Sequence, residues 1–560
     1  MTDKSGGPLV YVALGGAGEI GMNCYLYGLG EAAERRWIMV DLGVGFGDME
    51  RAPGVELVFP DLDFINGERD SLEGIFLTHG HEDHIGAVAH LWNRLKVPVY
   101  ARAFTAELLR KKLAEAGLDP LIVNQVSVGD HVQAGGFSVE WRPVNHSIPE
   151  ASLLVIRTKA GTVVHTGDFK MDPDPQVGDP FEMDDLHGLG DEGVMAVACD
   201  STNVFLPGES RSEASVIENI RKLIEAAPRA VAATTFASNV VRLRTLALAA
   251  VDAGRSVVIA GRAMRRMIET AVLTGQIDDF PKVVPDDEIG DIPRENLFYL
   301  VTGSQGEGRA TMARIAQGMH PTVKLSEGDT VLFSSKTIPG NERGVARVYN
   351  MLSEQGVRVI DGDMEHIHVS GHARSGDLRR VYEALKPQVA LPMHGEHRHL
   401  VEHARLAKEW GVPEALIAPN GTIVRLDGNR RGTVDHVETG RVYLDGRAHV
   451  GAYDGVIRDR LKMARNGLIA VSVVVDADGD LVADPMIQCH GAPKDGPDWK
   501  APLEELIAKA VDDALEGAPR KAKRTDDDVE QLASRAARTV AVRYWGKKPV
   551  MSVMVTRLED

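Results

Sequence analysis

The chain has 560 residues, of which 44% are hydrophobic and 5% are aromatic, a composition typical of a globular α/β protein. One hydrophobic core rarely serves so long a chain, so we expect roughly two or three domains. The net charge of -18 disfavours binding to nucleic acid through basic side chains alone. No apolar run reaches the roughly 18 residues of a membrane span, and no signal-peptide pattern is present, so we expect no membrane partner and a cytoplasmic location.

The N-terminal segment contains a glycine motif that matches a dinucleotide-binding fingerprint. An apolar run at 9–14 is followed by G-x-G-x-x-G spacing at 16–21, and Asp41 falls about where a ribose-binding acid would lie. That fingerprint requires a helix from its last glycine, whereas residues 22–28 have the composition of a second strand. We therefore expect a β-hairpin here and no nucleotide cofactor.

The segment 78–84, Thr-His-Gly-His-Glu-Asp-His, is the most informative in the chain. It follows an apolar stretch and precedes helical apolar spacing, so its side chains lie on a strand-to-helix loop, where catalytic groups are commonly mounted. His79 and His81 are spaced to bind one ion, and Asp83 and His84 to bind a second. Because imidazole nitrogens favour zinc or another transition ion over magnesium, the segment predicts half of a two-metal hydrolytic centre.

This segment resembles the H-x-H-x-D-H motif of the metallo-β-lactamase superfamily, whose other ligand positions follow in order along the chain. The resemblance implies that His146 completes the ion site of His79 and His81, and that Asp168 bridges the two ions. Asp41 would orient ligand imidazoles by accepting a hydrogen bond from them. A small-molecule hydrolase of the glyoxalase or lactamase type would share this much of the pattern, and it stays open as an alternative.

From about residue 210 to 360, predicted strands and helices alternate, which indicates a doubly wound α/β domain. Ser210 and Glu213 have the spacing of a capping box at the start of a helix over 214–227. Ligands of open α/β sheets bind at the carboxyl ends of strands, so we expect the loops 303–307 and 336–341 to face a cleft.

A metallo-β-lactamase domain interrupted in this way resembles the β-CASP subfamily of nucleases, whose extra motifs correspond here to Asp200, His372 and His394. The segments 235–239, 335–342 and 368–373 narrow the resemblance to the bacterial ribonuclease J family. This resemblance is strong from residue 8 to about 450 and weaker beyond.

The ribonuclease J resemblance implies a set of site residues. His394 would join Asp83, His84 and Asp168 around the second ion. Members that act on DNA usually carry valine at that position, so His394 favours RNA, with a DNA nuclease as an alternative. Asp83, Asp200 and His372 would take part in catalysis. A pocket for the 5′-monophosphate or the scissile phosphate would be lined by Ser238, His368, Ser370, Gly371 and His372.

The same resemblance implies an activity and partners. We expect a ribonuclease with two divalent ions per chain, Zn²⁺ or Mn²⁺, that hydrolyses single-stranded RNA from 5′-monophosphorylated ends in the 5′-to-3′ direction, with possible internal cleavage. Its roles would be rRNA processing and mRNA decay, as a homodimer or homotetramer, with RNA-decay machinery as possible partners.

The C-terminal region predicts a small α/β domain, which the family associates with self-association. A hairpin is expected around the turn 476–480, followed by helices at 502–515 and 526–541 and a last strand at 550–555. The expected fold is a metallo-β-lactamase αββα sandwich interrupted by a doubly wound β-CASP domain, with this appendix. The expected domains are 1–209 and 361–450 for the two parts of the sandwich, 210–360 for the insertion, 451–464 for a linker and 465–560 for the appendix.

Overall fold

The computed structural model describes residues 7–48 and 50–558. The chain forms two compact units. One comprises the residues up to Gly45 together with Phe59–Arg441, and the other comprises Phe46–Val58 and the chain from Val442 onward. Among the described residues, no helix combines the length and the apolar character needed to cross a membrane.

Two mixed sheets form the centre of the first unit. The first sheet has the spatial order Gly432–His436, Thr422–Arg425, Leu9–Gly15, Cys24–Leu29, Arg36–Val40, Leu72–Phe76, Val99–Arg102 and Val123–Val126. The second has the order His131–Ala134, Phe137–Pro143, Ser152–Thr158, Gly161–His165, Ala196–Asp200, Val389–Met393 and Glu414–Ala415.

The core between these sheets is built from large apolar side chains of both. Tyr27 and Phe76 of the first sheet and Trp141 and Leu154 of the second belong to one buried cluster. Each such side chain contributes about 2 kcal/mol through removal of apolar surface from water. The Trp141 indole also donates a hydrogen bond of 3.0 Å to the Leu77 carbonyl, which fixes the strand end just before the histidine-rich loop.

Helices cover the outer faces of the sandwich, as expected for an αββα arrangement. They are Asp63–Gly67, Glu82–Ile85, Val88–Leu95, Ala103–Glu115, Met183–Glu192, Ser375–Leu385 and His397–Glu409. Leu186, Leu378 and Tyr382 from these helices share a second buried cluster with Val197 of the second sheet. The predicted sandwich is therefore confirmed.

The predicted N-terminal hairpin is confirmed. Leu9–Gly15 pairs antiparallel with Cys24–Leu29, with Tyr11 opposite Tyr27. Gly16 and Gly18 have φ of 86° and 100°, a region that side chains disfavour, so these glycines allow the turn. A strand rather than a helix follows the motif, which removes the structural basis for dinucleotide binding.

The insertion is a five-stranded, wholly parallel sheet, as predicted. Its order is Ser256–Ala260, Leu297–Val301, Val231–Thr234, Thr330–Phe333 and Arg358–Asp361. Its helices are Ile217–Ala226, Val240–Asp252, Arg262–Leu273, Thr311–Ala316 and Glu342–Glu354. Because the strands alternate with helices along the chain, we propose domain boundaries near residues 209, 360, 450 and 464.

The predicted capping box at the entry to the insertion is wrong. The Ser212 hydroxyl, not that of Ser210, caps the turn Glu213–Val216 by accepting a hydrogen bond from the Ala214 N–H. The Ser210 hydroxyl instead donates to Asp377, and the Glu213 carboxylate forms an ion pair with Arg242. Tertiary partners therefore take both side chains, and the α-helix begins later, at Ile217.

The second unit contains a three-stranded sheet of the order Met486–His490, Leu468–Val475 and Val550–Arg557. The helices Leu503–Glu516 and Asp526–Tyr544 share a buried cluster with the central strand. The strands Arg441–Asp445 and Ala448–Gly451 and the helix Val456–Asn466 precede this sheet in the chain. The hairpin differs from the prediction, because Leu481 makes only one bridge to Val475 and the returning strand starts at Met486. Pro485, which has no N–H to donate, immediately precedes that strand.

Candidate metal centre

The ends of several strands meet at one edge of the sandwich. The loop after Leu72–Phe76 carries the segment 78–84. Gly161–His165, Ala196–Asp200 and Val389–Met393 run parallel to one another. Since their carboxyl ends lie at the same edge, Asp168, Asp200 and His394 come together, although up to 226 residues separate them in the chain.

The first ligand group consists of His79, His81 and His146 with Asp168. The Nδ1 atom of His81 lies 3.0 Å from Nε2 of His79 and 3.1 Å from Nε2 of His146. Asp168 Oδ2 lies 3.9 Å from both of those Nε2 atoms. Ligand atoms about 2.0–2.1 Å from a tetrahedral zinc ion are about 3.3 Å apart, so this spacing fits a shared cation.

The second ligand group consists of Asp83, His84 and His394, again with Asp168. His84 Nε2 lies 3.2 Å from Asp168 Oδ2 and 3.6 Å from Asp83 Oδ2. His394 Nε2 lies 3.3 Å from the same Asp83 oxygen. The buried Asp168 Oδ1 atom has no hydrogen-bond partner among the described residues. Asp168 Oδ2 thus lies near nitrogens of both groups while Oδ1 has no hydrogen bond, and a carboxylate so placed fits two ions that share Asp168.

Hydrogen bonds on the outer ring nitrogens determine which nitrogen faces the centre. His84 Nδ1 donates to Asp41 Oδ2 at 2.7 Å, and His146 Nδ1 donates to the Gly371 carbonyl at 2.6 Å. His394 Nδ1 lies 2.8 Å from the Thr202 hydroxyl oxygen. With one proton held on Nδ1, Nε2 is the nitrogen with which each ring can bind a cation, once that nitrogen carries no proton.

Asp41 serves both ligand groups. Besides His84, its carboxylate accepts hydrogen bonds of 2.8 Å from the Thr78 N–H and from the Thr78 hydroxyl. The same hydroxyl lies 3.0 Å from Nδ1 of His79 and accepts from it. Asp41 therefore orients His84 directly and His79 through Thr78, which is the geometry expected for an acceptor that orients ligands.

The two ligand groups differ in their electrostatics. Burial and neighbouring imidazoles hold the pKa values of His79 and His146 well below their usual range. Burial likewise lowers the pKa of His81 to about 4. Burial also opposes the charge of His394, but the carboxylates of Asp168, Asp200 and Asp83 outweigh it and raise its pKa to about 10.

The same balance acts on the remaining members of the second ligand group. Burial opposes the charge of His84, yet Asp168, Asp83 and Asp41 raise its pKa. Burial opposes ionisation of Asp83 and Asp168, but the neighbouring imidazolium groups hold the pKa of each carboxyl below its usual range. Imidazolium–carboxylate pairing therefore stabilises the second ligand group before an ion binds.

Asp200 and His372 adjoin the second ligand group. His372 Nδ1 lies 2.8 Å from Asp200 Oδ2. The His372 ring stacks on that of His394, with 5.5 Å between the ring centroids. Burial opposes the charge of His372, but Asp200 and Asp168 raise its pKa. The pair can therefore hold a proton beside the metal centre.

Two polar side chains at the centre were not predicted from the sequence. The Thr202 hydroxyl donates to Asp200 Oδ1 at 2.7 Å and accepts from His394. The Asn23 amide donates to the Asp83 carbonyl at 3.0 Å and lies 2.9 Å from His84 Nε2. Neither residue belongs to a recognisable ligand motif; only the proximity of Thr202 to Asp200 in the chain was available as a signal.

The segment 368–372 lies against the metal centre. The His146 bond to the Gly371 carbonyl joins it to the first ligand group, and His372 joins it to Asp200. A Cβ atom at Gly371 would lie 2.8 Å from the His146 ring, so no other residue fits without displacement. A cavity of 130 Å³ is lined here by His368, Ser370 and His372 together with Leu206, Ser210, Arg211, Lys336, Val369 and Arg374.

Not every residue predicted for the phosphate pocket lines this cavity. Ser238 and Gly371 are absent from its lining, and Ser238 lies in the turn before the helix Val240–Asp252. The preceding residues Thr235, Phe236 and Ala237 line a separate cleft of 550 Å³ at the carboxyl ends of the inserted strands. That cleft includes Gly303, Ser304 and Glu307 from the first of the two loops predicted to face one.

The fold and the ligand geometry define the class of the protein: a metal-dependent hydrolase of the metallo-β-lactamase superfamily with a β-CASP insertion. Family descriptions match along the chain in the same order. They are the metallo-β-lactamase superfamily at 17–223, the ribonuclease J β-CASP domain at 228–352, the Zn-dependent metallo-hydrolase RNA specificity domain at 356–416 and the ribonuclease J C-terminal domain at 455–558.

Relatives extend this match over the whole chain. Ribonuclease J of Sinorhizobium meliloti is 42% identical over 98% of this chain and 97% of its own length. Ribonuclease J of Corynebacterium glutamicum is 35% identical over 96% of this chain and 74% of its own length. The chain belongs to the ribonuclease J family. A crystal structure of a protein of unknown function from Enterococcus faecalis V583 shares the fold, with a TM-score of 0.51 and 17% identity over 75% of this chain and all of that one.

Proposed function

We propose that the protein hydrolyses single-stranded RNA from its 5′ end, with a preference for 5′-monophosphorylated substrates and with some internal cleavage. One observation carries this proposal: the cavity at His368, Ser370 and His372 adjoins the metal centre, to which Gly371 and His372 are hydrogen-bonded. The cavity has a volume of 130 Å³, which is enough for a phosphate group. A terminal phosphate held there would place the first phosphodiester beside the metal ligands.

The donor set fits two divalent ions, and we propose zinc, with manganese as the alternative. Such ions, when bound, lower the pKa of water and stabilise the negative charge that develops on the phosphate oxygens. The imidazole-rich first ligand group favours zinc, while the carboxylates of the second also suit manganese.

The residues beside the ions supply the remaining chemistry. The proton on His372 is stabilised by Asp200, so this pair is placed to protonate the leaving 3′-oxygen or to balance charge on the phosphate. Asp83 acts as a ligand and, through its negative charge, stabilises His84 and His394 in position. We assign Ser238 to the substrate path as well, because it directly follows Ala237, which lines the 550 Å³ cleft.

Two features favour RNA over the alternatives. The inserted domain and the segment 368–372 give the site a phosphate cavity that a small-molecule hydrolase does not need. By the family resemblance, His394 also occupies a position at which members that act on DNA usually carry valine. From family resemblance we further propose roles in rRNA processing and mRNA decay in the cytoplasm, as a homodimer or homotetramer that associates with RNA-decay machinery.

The test is product analysis of one labelled single-stranded RNA with a 5′-monophosphate, a 5′-triphosphate or a 5′-hydroxyl, beside the matching DNA, in zinc or manganese. Mononucleotides released fastest from the monophosphorylated RNA are expected. Internal fragments that do not depend on the 5′ group would make the enzyme chiefly an endonuclease. Preference for DNA, or activity that persists in Asp168→Asn and so comes from a contaminant, would overturn the assignment.

A further inference from the structure

A fully buried arginine lies behind the segment 368–372. Arg242 is 0% exposed, and its guanidinium forms a two-point ion pair with Glu213, at 2.6 Å from Nε to Oε1 and 2.9 Å from Nη2 to Oε2. Its Nη1 donates to the Ser334 hydroxyl at 2.6 Å and to the Ile367 carbonyl at 2.7 Å. One side chain thus connects its own helix, Val240–Asp252, to three other segments of the chain.

These contacts reach both sides of the proposed substrate path. The Ile367 carbonyl, which also accepts from the Ser334 hydroxyl at 2.6 Å, directly precedes His368. The backbone N–H of Arg242 donates to the Asn239 side chain at 2.9 Å, and Asn239 directly follows Ser238. The Arg242 side chain therefore ties the start of the segment 368–372 to the helix Val240–Asp252, which begins two residues after Ser238.

Stability alone does not account for this ion pair. Taking two charges out of water costs about as much as their attraction returns, so buried pairs can often be replaced by apolar residues with little loss. What the guanidinium provides is geometry, since its donors are fixed in one plane. Here those donors fix one carboxylate, one hydroxyl and one carbonyl at defined angles.

We propose that Arg242 is a positioning residue for the phosphate cavity: with Glu213 and Ser334 it fixes the segment 367–372 and so sets the discrimination among RNA 5′ ends. This inference rests on the proposed function, because its catalytic test measures the preference among RNA 5′ ends. It does not place Arg242 in contact with substrate, since the side chain is fully buried.

Arg255 provides a matched control within the same domain. It is also buried, at 6% exposure, and within the described part of the chain its guanidinium donates to the main-chain carbonyls of Arg229, Glu295, Ile224 and Ala227 rather than to side chains. It precedes the strand Ser256–Ala260, at the amino edge of the inserted sheet, whereas Ser334 follows Thr330–Phe333 at the carboxyl edge. A loss caused by general destabilisation should affect both variants.

The experiment compares Arg242→Lys with Arg255→Lys in the full-length, metal-loaded protein. Lysine keeps the charge but loses the planar donors. The measured quantity is the ratio of kcat/KM for 5′-monophosphate RNA to kcat/KM for 5′-hydroxyl RNA. We expect this ratio to fall by about ten- to a hundredfold in Arg242→Lys, because misplacement of a binding group lowers kcat/KM for the monophosphorylated substrate. In Arg255→Lys the ratio should stay at the wild-type value. A wild-type ratio in a folded Arg242→Lys, or an equal fall in both variants, would overturn the proposal.

Two further measurements test the positioning role if Arg242→Lys does not fold or if the wild type does not discriminate among 5′ ends. Ser334→Ala removes only the hydroxyl that bonds Arg242 and Ile367, and it should lower the ratio in the same direction. Hydrogen exchange at 367–372 should be faster in Arg242→Lys and Ser334→Ala than in Arg255→Lys, whatever the activity. Exchange at the wild-type rate would refute the positioning role; faster exchange with no 5′ preference in the wild type would refute only the proposed function.

Discussion

The two ligand groups of the metal centre share Asp168 but differ in charge. In the first, burial keeps the imidazoles of His79, His81 and His146 neutral. In the second, carboxylates keep His84 and His394 protonated. A metal ligand must offer a lone pair, so the first ligand group is ready for an ion while the second must release protons to receive one. Similar residues in one site can therefore bind their ions with different dependence on pH.

Asp168→Asn is expected to have the largest effect, because it removes the charge that both ligand groups share. An amide offers one neutral oxygen in place of a bridging carboxylate, so metal should be lost from both groups. Turnover should fall by at least about a thousandfold, since each ion contributes several kcal/mol to the transition state. Metal content and RNA hydrolysis would be measured on the same preparation.

Asp172→Asn is the matched control for that variant. Asp172 is a buried carboxylate four positions further along the same segment. Its partners are Lys170, at 2.8 Å, and the backbone N–H groups of Asp174 and Glu213, rather than a ligand imidazole. It should lower stability while leaving two ions bound. Equal loss of metal from both variants would mean that the segment, and not the bridging carboxylate, holds the ions.

Asp41→Asn should separate the two ligand groups. The amide would donate to Nδ1 of His84 and force its proton to Nε2, where the second ion binds, while His79 would keep its contact through Thr78. We expect affinity for the second ion to fall by about ten- to a hundredfold, with a smaller change for the first. Asp41 has φ of 60°, a conformation that asparagine also tolerates, so backbone strain should not confuse the result.

Metal titration of Asp41→Asn by calorimetry would measure the two affinities separately. The comparison between the ligand groups would fail if both affinities fell equally. It would also fail if neither changed, since Asp41 would then have no role in setting the tautomer of His84.

The pH dependence of metal binding tests the difference in charge directly. The raised pKa values of His84 and His394 mean that protons compete with the second ion at neutral pH, and this competition grows as the pH falls. Affinity for the second ion should fall by about tenfold per pH unit for each proton displaced. Affinity for the first ion should stay nearly level down to the pKa of His81, about 4.

Proton release on binding can be measured by repeating the titration in buffers of different ionisation enthalpy. Protons should be released with the second ion and not with the first. Equal release in both steps would show that the two ligand groups do not differ in protonation.

Whether a site residue could be predicted from the sequence depends on how far it lies from its partners along the chain. His79, His81, Asp83 and His84 lie on one loop, so their spacing alone indicates a metal site. The carboxyl ends of parallel strands meet at one edge of a sheet. Once the strands are recognised, Asp168 and Asp200 are therefore expected to lie close together.

The supporting contacts could not be predicted, because they join positions that no local pattern relates. Asn23 meets Asp83 across 60 residues, and Arg242 meets the Ile367 carbonyl across 125. The spacing of Ser210 and Glu213 was typical of a capping box, yet the tertiary ion pair with Arg242 takes the glutamate. Local propensity is a weak prior where a buried charge needs a partner.

Thr202→Val should have the smallest effect and tests the outer hydrogen bonds of the second ligand group. Valine has nearly the same shape but no hydroxyl, so His394 Nδ1 loses its acceptor and Asp200 Oδ1 loses a donor. The loss of one or two such bonds at about 1 kcal/mol each corresponds to about five- to thirtyfold weaker binding of the second ion. Thr202→Ser, which keeps the hydroxyl, should restore wild-type affinity. Within the described part of the chain, the recorded contacts of this hydroxyl are to Asp200 and His394, neither of which belongs to the first ligand group. Affinity for the first ion should therefore not change. A fall in that affinity would show that the two groups respond as one unit and that their difference in charge does not make them independent.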